Sequence, residues 1–372
     1  MDFKKIVALA SMATVVSLNA STEISWWHAM GGRLGEVVNE IATQFNASQS
    51  EYKITPVYKG GYEDTMTAGI AAYRAKKSPD IIQIFDAGAA TIINVKGVVY
   101  PVADLFDKYG VKFNAKDYIS GVRNFYANSE GRMIGCPFNS STPVMYYNKD
   151  IFKKAGLTTP PETWEAFEEA AKKLKAAGYI ALAQSHSPWI FAENFQSRHN
   201  IKLADKNNGF DGLATDINYE NPALIYHWDT LKKWSDAGYY KYFGRGWGDN
   251  QQAFYDQKVA MWLGSSGSFG GLKKGAKFAF GTTYLPYWKK FIDKGAQTFI
   301  GGAALFVFSG KSEEKYKGIT KFFSFLTSPK IQYYWHQETG YVPITNAAYA
   351  LAKKEGYYDK TPDAEIGIKQ LS

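Results

Sequence analysis

At 372 residues, with 45% hydrophobic and 21% charged residues, the chain is long for one domain and comfortable for two, each with its own core. The formal net charge of +8 comes from lysines spread along the sequence, with no dense basic run interleaved with rings. That excludes a nucleic-acid surface and leaves a mild positive field that suits an anionic solute.

Residues 1–20 read as a secretory signal peptide: a charged start through Lys5, an apolar run from Ile6 to Leu18, then Ala20 before the polar Ser21-Thr22-Glu23. The apolar run is too short to span a bilayer, and the mature chain is expected to be soluble. Cys136, the single cysteine, forms no internal disulfide and does not sit where a lipid anchor attaches, which fits a bacterial periplasm.

After Glu23 the pattern alternates. Ile24 to Trp27 reads as a buried strand, and Leu34, Val37, Val38, Ile41, Ala42 and Phe45 form one helical stripe. Tyr52 to Tyr58 is extended, Asp64 to Lys76 helical, and Asp80 to Phe85 an apolar run suited to a strand covered on both faces. This is a doubly wound α/β start, which puts His28, the Gly60-Gly61-Tyr62 turn and Asp86 on one rim at the carboxyl ends of the strands. A second unit follows, with Pro143 to Asn148 extended. Thr163 caps a helix that carries Glu165 early and Lys175 late and stops at Gly178. A helix from Pro222 to Ala237, a strand from Val259 to Leu263, a turn from Gly264 to Gly271, a strand from Ile300 to Phe308 and a helix from Lys315 to Leu326 complete the reading. No low-complexity linker separates the units, so strands are expected to pass between them.

Catalytic signatures are sparse. The five histidines, His28, His186, His199, His227 and His336, are not paired at metal-ligand spacing. Gly264-Ser265-Ser266-Gly267-Ser268 is neither a nucleophile elbow nor a P-loop. Neither metal nor cofactor is expected. Paired acids for glycoside cleavage, which folding assembles, stay open.

Several segments resemble the extracellular solute-binding proteins of carbohydrate-type ABC importers: Ser78-Pro79-Asp80-Ile81, Tyr147-Asn148-Lys149-Asp150 and Pro161-Glu162-Thr163-Trp164. Others resemble the glycerol-3-phosphate-binding branch of that family. They are Tyr58-Lys59-Gly60-Gly61-Tyr62-Glu63, Pro137 through Pro143, Ser265-Ser266-Gly267-Ser268, Ile300-Gly301-Gly302-Ala303 and Thr339-Gly340-Tyr341-Val342-Pro343. The resemblance implies a two-lobed type II binding-protein fold. Each lobe is a mostly parallel sheet flanked by helices, with 21–136 and 297–330 in the first and 137–296 and 331–372 in the second. It also implies a monomer that delivers a phosphorylated polyol to ABC permease subunits and has no enzymatic activity.

On the matching positions, Tyr62 and Asp86 are expected at the glycerol end, and Ser141, Ser265, Gly302 and Tyr341 at the phosphate. Hydroxyls and turn N–H groups are good donors to phosphate oxygens. Trp189 matches a tryptophan that flanks the cleft and could meet a choline by cation–π contact. Three departures accompany the match. Asp86 stands where the family carries glutamate, and His186 where a second cleft tryptophan is expected. The family also continues beyond Ser372, where a phosphate-pairing arginine is expected; a fragment of a longer protein, or Arg245 as a substitute cation, would account for this. A neutral-sugar binder on the same fold is the first alternative, and a secreted glycosidase the second.

Overall fold

The computed structural model describes residues 21–371 apart from 94, 113, 124, 129, 210, 245 and 246. The expected signal peptide and Arg245 therefore lie outside the described residues. Strands β1 (Thr22–His28), β2 (Tyr52–Tyr58) and β3 (Ile81–Phe85) pair in parallel with β1 central. Helix α1 (Gly32–Ser48) buries the expected stripe, Leu34 through Phe45, in the core that also holds Ile24, Trp26 and Ile54. Helix α2 (Tyr62–Arg74) starts earlier than expected because Asp64 is its third residue, not its first. The Asp64 carboxylate reaches back to accept the Gly61 N–H at 3.0 Å, the one half of a capping box that a glycine N-cap permits. Helix α3 (Asp86–Ile93) follows β3 directly.

Among the described residues the first sheet has six strands. Strand β10 (Gly301–Phe308) lies between β3 and the short β4 (Val99–Tyr100), and β5 (Cys136–Ser141) also pairs with it. All three of these pairings are antiparallel, so the sheet is mixed, with β10 alone reversed. The cause is the direction of entry. Gly301 and Gly302 open β10 beside the carboxyl end of β3, and a strand entering there must run against the strands that end there.

The second sheet runs β7 (Ile180–Gln184), β8 (Val259–Ser265), β6 (Pro143–Asn148), β9 (Phe280–Thr283). Here β7 and β8 are parallel while β6 opposes both its neighbours, so this sheet is mixed as well. Helix Trp164–Ala176, whose N-terminal amide of Ala166 is capped by Thr163 Oγ1 at 3.2 Å, and helix Pro222–Asp236 cover it. The expected Gly/Ser turn resolves into the end of β8, a short 3₁₀ turn over Ser266–Ser268 and a helix Phe269–Gly275.

Only Thr142 separates β5 from β6, so the first sheet extends to Ser141, past the expected exchange at 136/137. Phe138 stacks on Trp335 at 4.7 Å, and Trp335 on Tyr341 at 5.5 Å, which draws residues expected in the second lobe into the first core. Farther along, Ile344, Ala352, Ile368 and Leu371 pack with Val144 and Tyr146 of the second sheet. We propose on this packing that the lobes exchange at Thr142 and again just after Tyr341.

Candidate functional site

A cleft of about 450 Å³ opens where the carboxyl ends of β3, β5 and β8 meet the start of β10. Tyr62, Asp86, Ser141, Trp189, Ser265, Gly302 and Tyr341 all line it. His28 does not. It is 2% exposed, and its Nδ1 accepts the Met30 N–H at 3.2 Å. Gly61 lines a separate cavity of about 500 Å³ with Arg33 and Lys274. The expected rim is therefore divided between two openings.

Tyr62 is the first residue of α2, and its ring stacks on Phe85 at 5.5 Å. Its Oη accepts from Asn139 Nδ2 at 2.7 Å and is hydrogen-bonded to the hydroxyl of Tyr341. Burial pushes both phenols above their ordinary range, so both keep their protons. Asp86, the first residue of α3, accepts the Ala87 N–H at 2.7 Å and a further N–H from Gly302. Burial outweighs these donors and lifts the carboxyl to about 6.

Ser141 and Ser265 end β5 and β8 and are 3% and 5% exposed. Thr142 ties them together: its carbonyl accepts the Ser266 N–H at 2.9 Å, and its own N–H donates to Ser266 Oγ at 3.2 Å. Ser265 Oγ accepts the Gly267 N–H at 3.1 Å, which turns its hydroxyl proton elsewhere. Gly302 has φ +119°, and a Cβ there would overlap the carbonyl oxygen of Asn139. Only glycine allows this approach.

Trp189 begins a π-helical turn, Trp189–Asn194, and packs so closely on Gly301 that a Cβ there would lie 2.6 Å from the indole. His186 meets it edge-on at 6.0 Å from a backbone with φ 53°. Burial pushes the His186 imidazole down to about 4, so it is neutral at pH 7. Sequence reasoning missed Glu193, which the same π turn brings to the cleft, and the walls Phe85, Phe125 and Phe299. Burial and the nearby charge of Asp86 raise the Glu193 carboxyl.

Among the described lining residues there are three carboxylates, Glu63, Asp86 and Glu193, and no lysine or arginine. Among the described residues no group of three or more His, Cys, Asp or Glu side chains could hold a metal ion. The cleft thus offers buried hydroxyl donors near the crossing of the two sheets, a carboxylate acceptor at the start of α3 and aromatic walls. Such a lining can hold a small polar solute from several sides.

Residues 40–365 match the family model for bacterial extracellular solute-binding proteins. The sn-glycerol-3-phosphate-binding periplasmic protein UgpB of Yersinia enterocolitica is 41% identical over 98% of this chain and 84% of its own length. Its counterpart from Brucella suis is 40% identical over 99% of this chain and 87% of its own. UgpB from Mycobacterium tuberculosis, solved in complex with glycerophosphocholine, superposes with a TM-score of 0.81 at 25% identity over 94% of this chain and 86% of that one. The GacH receptor of Streptomyces glaucescens shares the fold at a TM-score of 0.78 and 18% identity, over 93% of this chain and 87% of its own. The chain belongs to the bacterial extracellular solute-binding proteins.

Proposed function

We propose that this chain is the periplasmic binding component of an ABC importer, that it captures sn-glycerol 3-phosphate or its diesters, and that it hands them to permease subunits as a monomer without chemical turnover. The observation that carries this reading is the convergence of Tyr62, Asp86, Ser141, Ser265, Gly302 and Tyr341 on one cleft. Asp86 would accept from glycerol hydroxyls, while Ser141, Ser265 and Tyr341 would donate to phosphate oxygens. The ligand named for the relatives from Yersinia and Brucella supports it.

A neutral sugar is the second reading. It is favoured by the aromatic walls and by a described lining with three carboxylates and no lysine or arginine. Ligand-induced thermal shift separates the two: glycerol 3-phosphate should raise the melting temperature and maltose should not. The reverse pattern would replace the phosphate ester with a sugar. Because Asp86 and Glu193 share the cleft, a chromogenic glycoside belongs in the same experiment; its hydrolysis would overturn the reading of a binder without turnover.

A further inference from the structure

A buried chain of hydrogen bonds leads from the backbone into the cleft. The Ala29 N–H donates to Gln83 Oε1 at 2.8 Å, Gln83 Nε2 donates to Asn139 Oδ1 at 2.7 Å, and Asn139 Nδ2 donates to Tyr62 Oη at 2.7 Å. Gln83 and Asn139 are both 0% exposed. Two side-chain amides in series could in principle run either way, since oxygen and nitrogen exchange by a flip. Here the first member cannot reverse. A backbone N–H only donates, so Gln83 must present its oxygen to Ala29 and its NH₂ to Asn139. Asn139 must then present its oxygen to Gln83 and its NH₂ to the tyrosines.

The consequence lies at the phenols. Asn139 is hydrogen-bonded to both the Tyr62 and Tyr341 hydroxyls, which are also bonded to each other. With the NH₂ facing them, both phenol oxygens act as acceptors. Their mutual bond uses one of the two phenol protons. The other finds no acceptor on Asn139, and both rings line the cleft. Were Asn139 reversed, its oxygen would take that proton and the cleft would lose a donor.

We infer that Gln83 and Asn139 are positioning residues that fix the Tyr62–Tyr341 pair as a hydrogen-bond donor toward the ligand's anionic oxygens. The inference rests on the proposed phosphate-ester ligand and adds a reason for its selection: the site is set to give a proton, not to accept one. Neither residue lines the cleft.

The test is Gln83→Glu, with Gln83→Met beside it. An ionised carboxylate still accepts from Ala29 but cannot donate, so Asn139 must turn its NH₂ inward and its oxygen to the phenols. At a pH high enough to ionise this buried carboxyl, up to about 9, the affinity for glycerol 3-phosphate should fall at least tenfold relative to wild type. A protonated carboxyl reproduces the glutamine pattern, so the ratio of variant to wild-type Kd should close as the pH falls toward 5. Dividing by wild type at each pH removes the titrations of Asp86, Glu193, His186 and the ligand itself. Gln83→Met, which fills the space without polarity, should bind more weakly at every pH with no recovery. It also separates the relay from a folding defect, since its melting temperature is measured alongside. Wild-type affinity for Gln83→Met, or a deficit in Gln83→Glu that does not change with pH, would overturn the relay. A wild type that binds no glycerol 3-phosphate would instead overturn the ligand, and this inference with it.

Discussion

Gly302 donates its backbone N–H to the carboxylate of Asp86, one step beyond the last antiparallel pair of β3 and β10, Ala303 with Phe85. The contact joins the strand that returns from the second lobe to the start of α3. It also explains why Asp86 is both held and perturbed. Backbone donors favour its ionised form, while the burial that brings them near opposes it.

The first prediction concerns the glycine. At φ +119°, and with a Cβ falling on the carbonyl oxygen of Asn139, Gly302→Ala must move β10 away from β5. Strain of this kind costs on the order of 1–3 kcal/mol. Urea unfolding should show a loss of that size, and glycerol 3-phosphate binding should weaken with it because the donor to Asp86 shifts. An alanine variant as stable as wild type would mean that the backbone relaxes at no cost.

The second prediction follows from the Asp86 carboxyl, raised from 3.8 to about 6. If ligand hydroxyls donate to the ionised form, as proposed, binding below about pH 6 requires a proton to leave first, and affinity should fall as the pH drops from 7 to 5. Glycerophosphocholine is the clean probe, since a phosphodiester has no second ionisation in this range, unlike a monoester. Asp86→Asn should flatten the profile. For the unliganded protein the sign is opposite. The folded state holds this proton more tightly than the unfolded one, so the Asp86 contribution makes the fold less stable as the pH rises from about 4 to 6. Asp86→Ala should lose at least tenfold in affinity, and Asp86→Glu less, since it keeps the acceptor.

The third prediction concerns motion. Tyr62 and Asp86 follow the first sheet, whereas Ser265 ends a strand of the second, and all three face one cleft. A ligand that touches both sheets binds the closed arrangement better, and its differential affinity sets the shift. Small-angle scattering should give a smaller radius of gyration with saturating glycerol 3-phosphate. Tight binding with an unchanged radius would place the ligand on one lobe alone.

Much of this was legible in the sequence, for physical reasons that differ by element. The stripe from Leu34 to Phe45 and the apolar run Ile81–Phe85 announce themselves because burial on one face or two leaves a period. The start of α2 was missed because its N-cap is glycine and the informative residue, Asp64, sits inside the helix. Glu193 was missed because a π turn has no 3.6-residue period to read. Placing Tyr62, Asp86, Ser141, Ser265, Gly302, Tyr341 and Trp189 on one cleft came from resemblance, since no spacing along the chain predicts that such distant positions converge. The reversed β10 was hidden for the same cause: strand direction is set by where the chain returns from, not by the strand's own composition.

The last prediction concerns the two serines. Ser141 and Ser265 stand at the ends of strands from different sheets, yet Thr142 and Ser266 fasten those ends by two hydrogen bonds, N–H to carbonyl at 2.9 Å and N–H to hydroxyl at 3.2 Å. The spacing of the serines is therefore held by the protein's own hydrogen bonds, not by the ligand. The Ser265 oxygen already accepts the Gly267 N–H, and its hydroxyl proton can be given to a ligand oxygen. A hydrogen bond to a charged acceptor is worth roughly 1.5–3 kcal/mol. Each of Ser141→Ala and Ser265→Ala should thus weaken glycerol 3-phosphate binding about tenfold or more. If both donate to one phosphate, their effects couple: after the first loss the phosphate can shift toward the donors that remain, so the double variant should lose less than the product of the single losses. Isothermal titration of the four proteins measures this directly. Strict multiplicativity would place the serines on separate groups of the ligand, and an unchanged affinity in both single variants would remove the crossing point of the sheets from the site.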